Sequence, residues 1–247
     1  FPVSSFMVPL FDSFETSTVY LFERIFWWLH IIGIFFFLNY LYYSKHLHIL
    51  LAFPNTYYAN LESKGKFGIL ESVKNEVLLM FYPDKASQSN GNVDKFGASD
   101  VLDLNWVQLM NAYSCTECGR CTSECPANLT GKKLSPRKIM MDTRDRLEKV
   151  SKNISVNKGK FVDDGYRLLD NYITKEELWA CTSCNACVEA CPINIDPLSI
   201  IMDMRQYLIM EESSAHPDLN NMMNNIENNG APWPYNQQDR ELWIQES

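Results

Sequence analysis

The sequence lacks most features that would mark an enzyme with its own substrate site. No glycine-rich phosphate loop and no nucleophile beside a base are recognisable in its 247 residues, so no substrate-transforming site is predicted. A basic stripe is missing too. Residues 99–210 hold 15 acidic and 14 basic residues, which excludes the cationic surface that nucleic acid requires. The net charge of −8 comes mainly from residues 211–247, with seven acids against one base.

Alternation of apolar and polar residues, the pattern of a half-buried strand, is also absent over any useful length. Helix-start signals are present instead, at Asp103, at Ser135–Pro136, at Thr174 with its partner Glu177, and at Asp196–Pro197. We expect the second of these helices to run to about Val150 and the last helix of the chain to end near Met210. The sequence therefore predicts an all-α protein.

One long stretch has no formal charge: Ile25 to Ser44, about 20 residues. At 1.5 Å per residue, a helix of that length matches a bilayer core of about 30 Å. Tryptophans near its start and tyrosines near its end would form aromatic belts, and Lys45 follows directly. A membrane-spanning helix is predicted, with a buried core helix as the alternative. The first residue is Phe1 and no signal-peptide pattern follows it, so we expect further sequence upstream.

Composition predicts four parts along the chain. They are a membrane anchor (1–53), a connector with one short helix around Ile69–Phe81 (54–98), a cysteine-bearing domain (99–210) and an acidic, asparagine-rich tail (211–247). The tail is too polar to form a core of its own, and we expect it to become ordered against a partner.

All eight cysteines fall into two copies of one spacing, C-x2-C-x2-C-x3-C followed by proline. The first copy is Cys115, Cys118, Cys121 and Cys125, and the second is Cys181, Cys184, Cys187 and Cys191. Three closely spaced thiolates suit a tight loop that holds three corners of an iron–sulfur cube, and a more distant cysteine completes it. The spacing predicts two [4Fe–4S] clusters.

The fourth ligand of each cluster is expected to come from the other motif, as in two-cluster ferredoxins. The predicted sets are Cys115, Cys118, Cys121 and Cys191 for cluster 1, and Cys181, Cys184, Cys187 and Cys125 for cluster 2. Structural zinc is a weaker alternative, because it favours paired C-x-x-C knuckles with four ligands per ion. Disulfides are weaker still, since they need an oxidising compartment.

The segment WVQLMNAYSCTECGRCTSECPA and the second motif about 55 residues later resemble the α-helical ferredoxin domain of heterodisulfide-reductase-like iron–sulfur oxidoreductases. That group includes membrane proteins that accept electrons from electron-transfer flavoprotein. YSKHLHILLAFPN is similar to a segment of its membrane-bound members, and APWPYNQQDRELW to the stretch that precedes a cysteine-rich CCG domain in fused members. The resemblance covers about residues 20–60 and 99–245. It implies that a CCG unit lies outside this chain.

Histidine is scarce, and two of the four residues are spaced for haem. His30 and His48 are 18 residues apart, which on one continuous helix places them on one face and about 27 Å apart along the axis. Two stacked b-type haems need this arrangement, and the spacing resembles the haem-binding helix of the cytochrome b subunit of respiratory nitrate reductase. The partner histidines would come from upstream helices or another subunit. The alternative is that His46 and His48 are interfacial histidines flanking Lys45, and that His30 is an intramembrane polar group without haem.

These observations predict an electron-transfer subunit in the cytoplasmic membrane, with its ferredoxin domain facing the cytoplasm. Electrons would pass between a CCG-domain subunit or a flavoprotein such as electron-transfer flavoprotein, the two clusters, haem b and quinone. Two alternatives remain open. One is a tethered ferredoxin module without haem or quinone chemistry, and the other is an anchor subunit whose clusters only hold the fold.

Overall fold

The computed structural model describes residues 2–63, 65–66, 68–69, 71–82 and 95–245. Within these residues every regular element is helical, and the only β-type pairing is an isolated bridge between Leu169 and Ile173. The predicted all-α fold class is confirmed. The chain forms two compact units, Phe1–Pro54 and Asn55–Ser247. The finer four-part division made from composition stays a prediction.

The described helices follow one another without intervening strands. In chain order they are α1 (Pro2–Met7), α2 (Thr16–Leu41), α3 (Leu47–Tyr57), α4 (Glu71–Phe81), α5 (Trp106–Ser114), α6 (Arg120–Ser123), α7 (Pro126–Leu129), α8 (Pro136–Val156), α9 (Leu168–Asn171), α10 (Lys175–Ala180), α11 (Ala186–Glu189), α12 (Pro197–Met210), α13 (Pro217–Asn229) and α14 (Leu242–Gln245), with 3₁₀ turns at Val8–Leu10, Val101–Asp103 and Gln237–Glu241.

Helix α2 contains most of the long apolar run, with different ends from those expected. It begins at Thr16 and stops at Leu41, so turns replace helix at residues 42–46. The uncharged part inside the helix is then about 17 residues, roughly 26 Å at 1.5 Å per residue. Glu23 and Arg24 precede it and form an ion pair of 3.1 Å. This pairing lowers the cost of bringing both charges close to an apolar phase.

The second unit is built around α8 and α12. Helix α8 turns one face inward, with Ile139, Met140, Thr143 and Val150 all buried, as the 3.6-residue period requires. Helices α5 and α12 both pack against α8, and α10 packs against α12. This arrangement holds α5 and α10, the two helices that lead into the cysteine motifs, against a shared core.

The predicted helix starts agree with the structure except at Asp103. Ser135, Thr174 and Asp196 each accept a backbone N–H in the first turn of the helix they precede. Helix α12 ends at Met210 as predicted, whereas α8 continues six residues past Val150 to Val156. Helix α5 is capped by Asn105, whose capping-box partner is Gln108.

Asp103 has another role, which sequence inspection did not separate from that of Asn105. Its carboxylate closes the 3₁₀ turn Val101–Asp103 by accepting the backbone N–H of Asp100. Lys95 donates to the same carboxylate at 2.6 Å. The prediction that Asp103 caps α5 is therefore wrong, because two capping motifs stand next to each other and the closer residue caps the helix.

Two predictions outside the cysteine domain have mixed outcomes. The short connector helix is present as α4, and residues 83–94 of the connector lie outside the described residues. The expectation that the helix ending at Met210 is the last of the chain is wrong, since α13 follows at Pro217–Asn229. His216 caps α13 with its ring nitrogen, and Gly230 ends it in the left-handed conformation.

Gly97 is packed too closely against α12 to carry a side chain. Its φ is +82°, and a Cβ built there would overlap the carbonyl oxygen of Asp203 and lie 2.5 Å from the Tyr207 nitrogen. We expect Gly97→Ala to lower the melting temperature measured by circular dichroism. Gly131→Ala is the matched control, because Gly131 has a φ of +79° with nothing within 4 Å and loses only the conformational preference of about 1–2 kcal/mol. Equal losses in the two variants would contradict the packing argument.

Candidate iron–sulfur centre

The two cysteine loops are built in the same way from the same positions. Cys115 ends α5 and Cys181 ends α10, each with extended backbone angles. Two and four residues further on, both chains enter the left-handed region: Glu117 at φ 61° and Gly119 at 83° in the first loop, Ser183 at 57° and Asn185 at 60° in the second. These turns curl the backbone around the intervening cysteine, because a left-handed residue reverses the local path of the chain.

The last cysteine of each motif is placed by a single short helix. Helices α6 and α11 pack against each other. The Cys125 amide donates to the carbonyl of Thr122, and the Cys191 amide donates to that of Val188, both at 3.2 Å. The two motifs thus form a structural repeat whose halves meet at α6 and α11. This contact brings each fourth cysteine towards the opposite loop.

The thiol of Cys191 acts electrostatically on the cysteines of the first loop. Burial raises the pKa of Cys115, and the neighbouring Cys191 and Cys118 raise it further. Burial likewise raises the pKa of Cys121 to about 11, with added contributions from Cys115, Cys118 and Cys191. The four residues predicted as the ligands of cluster 1 are therefore electrostatic neighbours.

The thiol of Cys125 acts electrostatically on the second loop. Burial raises the pKa of Cys181, and both Cys125 and Cys184 add to the shift. Burial raises the pKa of Cys187 to about 12, with contributions from Cys181, Asp196 and Cys121. Because Cys121 of the first loop raises the pKa of Cys187 in the second, the two groups of thiols are electrostatic neighbours.

The donor set fits iron–sulfur clusters. All eight cysteines are free thiols, which leaves them available as the thiolates such clusters require. In each loop the first sulfur accepts a backbone N–H from the residue two positions on, Glu117 for Cys115 and Ser183 for Cys181. Such bonds stabilise thiolate charge around a metal group.

The second cysteine of each motif is exposed to solvent. Cys118 and Cys184 are exposed, whereas Cys125 is buried. Within the part of the chain that the structure describes, no three His, Cys, Asp or Glu side chains lie close enough together to hold one metal ion. A four-iron cube binds its thiolates at separate corners, so it does not need them to converge on one point.

Two arginines beside the loops were not identified from the sequence. Arg144 on α8 forms an ion pair of 2.7 Å with Glu117. Arg205 on α12 donates to the carbonyl oxygens of Leu178 and Cys181 and to the Ser183 hydroxyl. Each arginine lies nine residues after the N-cap of its helix, Ser135 or Asp196. This shared offset is the sequence signal that could have identified them.

The geometric basis of the haem prediction is wrong in this structure. His30 lies in α2, which ends at Leu41, while His48 lies in α3, which begins at Leu47. The His46 ring is 5.6 Å from the Phe37 ring, much closer than nine residues of helix rise would allow. The chain therefore turns between the two helices, and a count of 100° per residue cannot be carried from His30 to His48. His48 Nδ1 is 2.6 Å from the Lys45 carbonyl oxygen.

A family model described as a 4Fe-4S dicluster domain matches residues 114–195. The match contains all eight cysteines and both loops, and it ends just before the Asp196 cap of α12. No solved structure matches the chain.

Curated proteins match over most of the chain. A probable iron-sulfur-binding oxidoreductase, FadF of Bacillus subtilis, is 32% identical over 90% of this chain and 33% of its own length. The EtfAB:quinone oxidoreductase of Syntrophomonas wolfei is 25% identical over 99% of this chain and 34% of its own. A probable membrane-anchored ferredoxin of Chromohalobacter salexigens is 33% identical over 48% of this chain and 20% of its own. The chain thus spans about a third or less of these relatives.

Subunits of the heterodisulfide reductases of methanogens match as well. The resemblance read from the cysteine segments is confirmed by these relatives, whereas the likeness to a nitrate-reductase-type cytochrome b stays a prediction. The chain is a homologue of the iron–sulfur oxidoreductases, and its cysteine-bearing part is a 4Fe–4S dicluster domain.

Proposed function

We propose that the chain is the membrane-bound electron-transfer part of an oxidoreductase and passes electrons through two [4Fe–4S] clusters held by crossed cysteine sets. The observation that supports this most strongly is the contact between α6 and α11, which turns the fourth cysteine of each motif towards the other loop. The electrostatic effects of Cys191 on Cys115 and Cys121, and of Cys125 on Cys181, agree with it. When bound, a cluster of this type accepts and releases one electron at a time.

The protein's own residues shape the two cysteine loops and hold them next to each other. The left-handed turns at Glu117 and Ser183 wrap each loop, and the contact between α6 and α11 keeps the two loops adjacent. Exposed Cys118 and Cys184 mark where each loop faces the surface. We propose that partners exchange electrons at these two exposed sides, while the α6–α11 contact allows transfer from one cluster to the other.

Membrane insertion of α2 is the second part of the proposal. The helix is long and apolar enough to cross a bilayer, and the protein buries none of it. A helix that is apolar on all sides is stable only when it is covered, and lipid would cover it. Lys45, just beyond its end, favours an orientation with that end and the ferredoxin domain in the cytoplasm.

The electron partners are proposed from chemistry and from what the relatives are called. One relative is named an EtfAB:quinone oxidoreductase, and others are heterodisulfide reductase subunits. We propose a flavoprotein such as electron-transfer flavoprotein, or a CCG-domain iron–sulfur subunit, on one side and quinone on the other. The acidic tail is the proposed docking segment, because α13 exposes the apolar side chains of Met223 and Ile226.

His30 and His48 lie on different helices, because the chain turns at residues 42–46. We therefore propose haem ligation by each histidine as a separate site. That same turn favours the second candidate function, a tethered ferredoxin that delivers electrons without haem.

A reduced-minus-oxidised visible spectrum of the detergent-purified protein, with its co-purifying subunits, tests both candidates. Haem ligation by His30 requires a b-type α-band that disappears in His30→Ala and persists in His216→Ala, whose histidine caps α13. A complex without any such band supports the tethered ferredoxin. Iron and labile sulfide analysis of the same samples tests the clusters. An EPR signal that no flavoprotein or quinol can reduce or oxidise would favour a purely structural role.

A further inference from the structure

We propose that Arg205 raises the reduction potential of the cluster beside Cys181, and that Glu117 cancels the equivalent effect of Arg144 at the other cluster. The two clusters are then electrostatically different even though their loops repeat. This inference rests on the proposed function, because it requires both clusters to be bound.

The two arginines occupy equivalent places in the repeat. Arg144 lies nine residues after the N-cap Ser135, and Arg205 lies nine residues after the N-cap Asp196. The positive charge of Arg144 lowers the pKa of Cys115 and that of Arg205 lowers the pKa of Cys181, although burial outweighs both. Each charge therefore acts on the first cysteine of its own loop.

The residue that contacts the arginine differs between the two loops. Two residues after the first cysteine, the first loop has Glu117 and the second has Ser183, both with left-handed backbone. Glu117 forms an ion pair with Arg144 at 2.7 Å, and both side chains are about one-fifth exposed. Ser183 carries no charge, and its hydroxyl accepts a hydrogen bond from Arg205 at 3.2 Å. An acid in one loop thus corresponds to a neutral hydroxyl in the other.

Arg205 makes its other hydrogen bonds to neutral groups as well. It donates to the carbonyl oxygens of Leu178 and Cys181, and its guanidinium lies 5.1 Å from the centre of the Trp179 ring. No carboxylate among the described residues forms an ion pair with it. Because burial weakens the screening of a charge, this cation acts on its surroundings with little compensation.

An uncompensated cation favours the more negative state of a nearby redox group. Reduction adds one electron to a cluster, so a fixed positive charge stabilises the product and raises the potential. An arginine–glutamate pair has nearly zero net charge and exerts a weaker field. Asp196 near Cys187 and exposed Arg120 also contribute to the local field. The midpoint potential of a cluster in each variant is therefore compared with that of the same cluster in the parent protein.

The test is an EPR-monitored potentiometric titration of the purified protein with both clusters bound. We expect Arg205→Gln to reduce the equilibrium constant for one-electron reduction of one cluster about tenfold, a fall of about 59 mV in its midpoint potential. Arg205→Lys keeps the charge and is expected to retain most of the parent potential. A fall of equal size in both variants would show that lost hydrogen bonds and not charge set the potential, and would overturn the inference.

The opposite change is expected in the other loop. Glu117→Gln removes the 2.7 Å ion pair of Arg144 and leaves only its longer contact with Asp145, at 3.7 Å. It should raise the midpoint potential of the cluster beside Cys115, the one that Arg205→Gln leaves unchanged. Ser183→Glu recreates the first loop's ion pair in the second and should lower the same midpoint as Arg205→Gln. If Arg205→Gln does not retain the cluster beside Cys181, Glu117→Gln and Ser183→Glu still test the inference. Unchanged midpoint potentials in both of these variants would refute it. Absence of iron and sulfide from the parent protein would instead refute the proposed function.

Discussion

We expect Cys125→Ser to expose the thiols of the second loop and leave those of the first protected. The variant should lose about half of its iron and labile sulfide, because it loses one of two clusters that each need four thiolates. After treatment with an alkylating reagent, peptide mass spectrometry should find the label on the three other ligands of that cluster, Cys181, Cys184 and Cys187.

The reason is the position of Cys125 in the tertiary structure. It belongs to the first motif in the sequence, yet its thiol acts on the pKa of Cys181 in the second. The side chain is also buried, at 6% exposure, so no external thiol can replace it easily. Cys125→Ala removes the ligand without leaving a serine oxygen in its place.

Cys191→Ser is the matched control, because Cys191 occupies the equivalent position in the other motif. It should expose Cys115, Cys118 and Cys121 while the second loop stays protected. Label on the first loop in Cys125→Ser would contradict crossed ligation and would show that each motif supplies all four ligands of its own cluster.

We expect Arg146→Met to destabilise the second unit by about 3–5 kcal/mol, the usual cost of removing one partner from a buried ion pair. The Arg146 side chain is fully buried and donates three hydrogen bonds to Asp100, two to Asp164 and one to the carbonyl oxygen of Tyr166. In a unit of this size, 1 kcal/mol corresponds to about 2–4 °C, so the melting temperature should fall by roughly 10 °C.

Two comparisons separate this effect from a general loss of charge. Lys133→Met removes an exposed ion pair with Glu176, whose side chains are 75% and 63% exposed, and should leave the melting temperature unchanged. Adding Asp100→Asn and Asp164→Asn to Arg146→Met should recover part of the loss, since neither of these partly buried carboxylates then remains without its cation. Equal melting temperatures for Arg146→Met and Lys133→Met would contradict the prediction.

The same network predicts a dependence on pH. Hydrogen bonding to Arg146 lowers the pKa of Asp164 below its ordinary value. The stability that this carboxylate contributes is therefore complete above the ordinary aspartate pKa of about 4 and is lost as the pH falls through the lowered pKa. Below about pH 4 the parent protein should lose stability more steeply than Arg146→Met, which lacks this contribution.

Features that depend on a few neighbouring residues were predicted well. The caps at Ser135, Thr174 and Asp196 are present, because a cap needs only a side-chain oxygen and the first backbone amides of its own helix. The spacing of the cysteines and the absence of alternating strands are local properties of the same kind. They were enough to predict an all-α dicluster domain.

The errors come from places where two local signals compete or where a pattern crosses a turn. Asp103 and Asn105 both suit a helix cap, and only the packed structure assigns Asp103 to the preceding 3₁₀ turn. His30 and His48 satisfy a helical repeat in the sequence, but the apolar run contains no proline or glycine at Tyr42–His46 to signal that the helix stops. Periodicity counts residues and assumes a continuous helix, so it cannot detect such a break.

The sequence by itself determined which atoms are available: eight thiols in two equal spacings, a long apolar helix and an acidic tail. Only the tertiary structure decided which of them meet. Cys191 acts electrostatically on Cys115, and Cys125 on Cys181, across the contact between α6 and α11. Arg144 meets an acid while Arg205 meets a hydroxyl, because two helices distant in the sequence lie over two similar loops. Contacts between distant segments depend on the packing of the whole unit, and residue spacing does not record them.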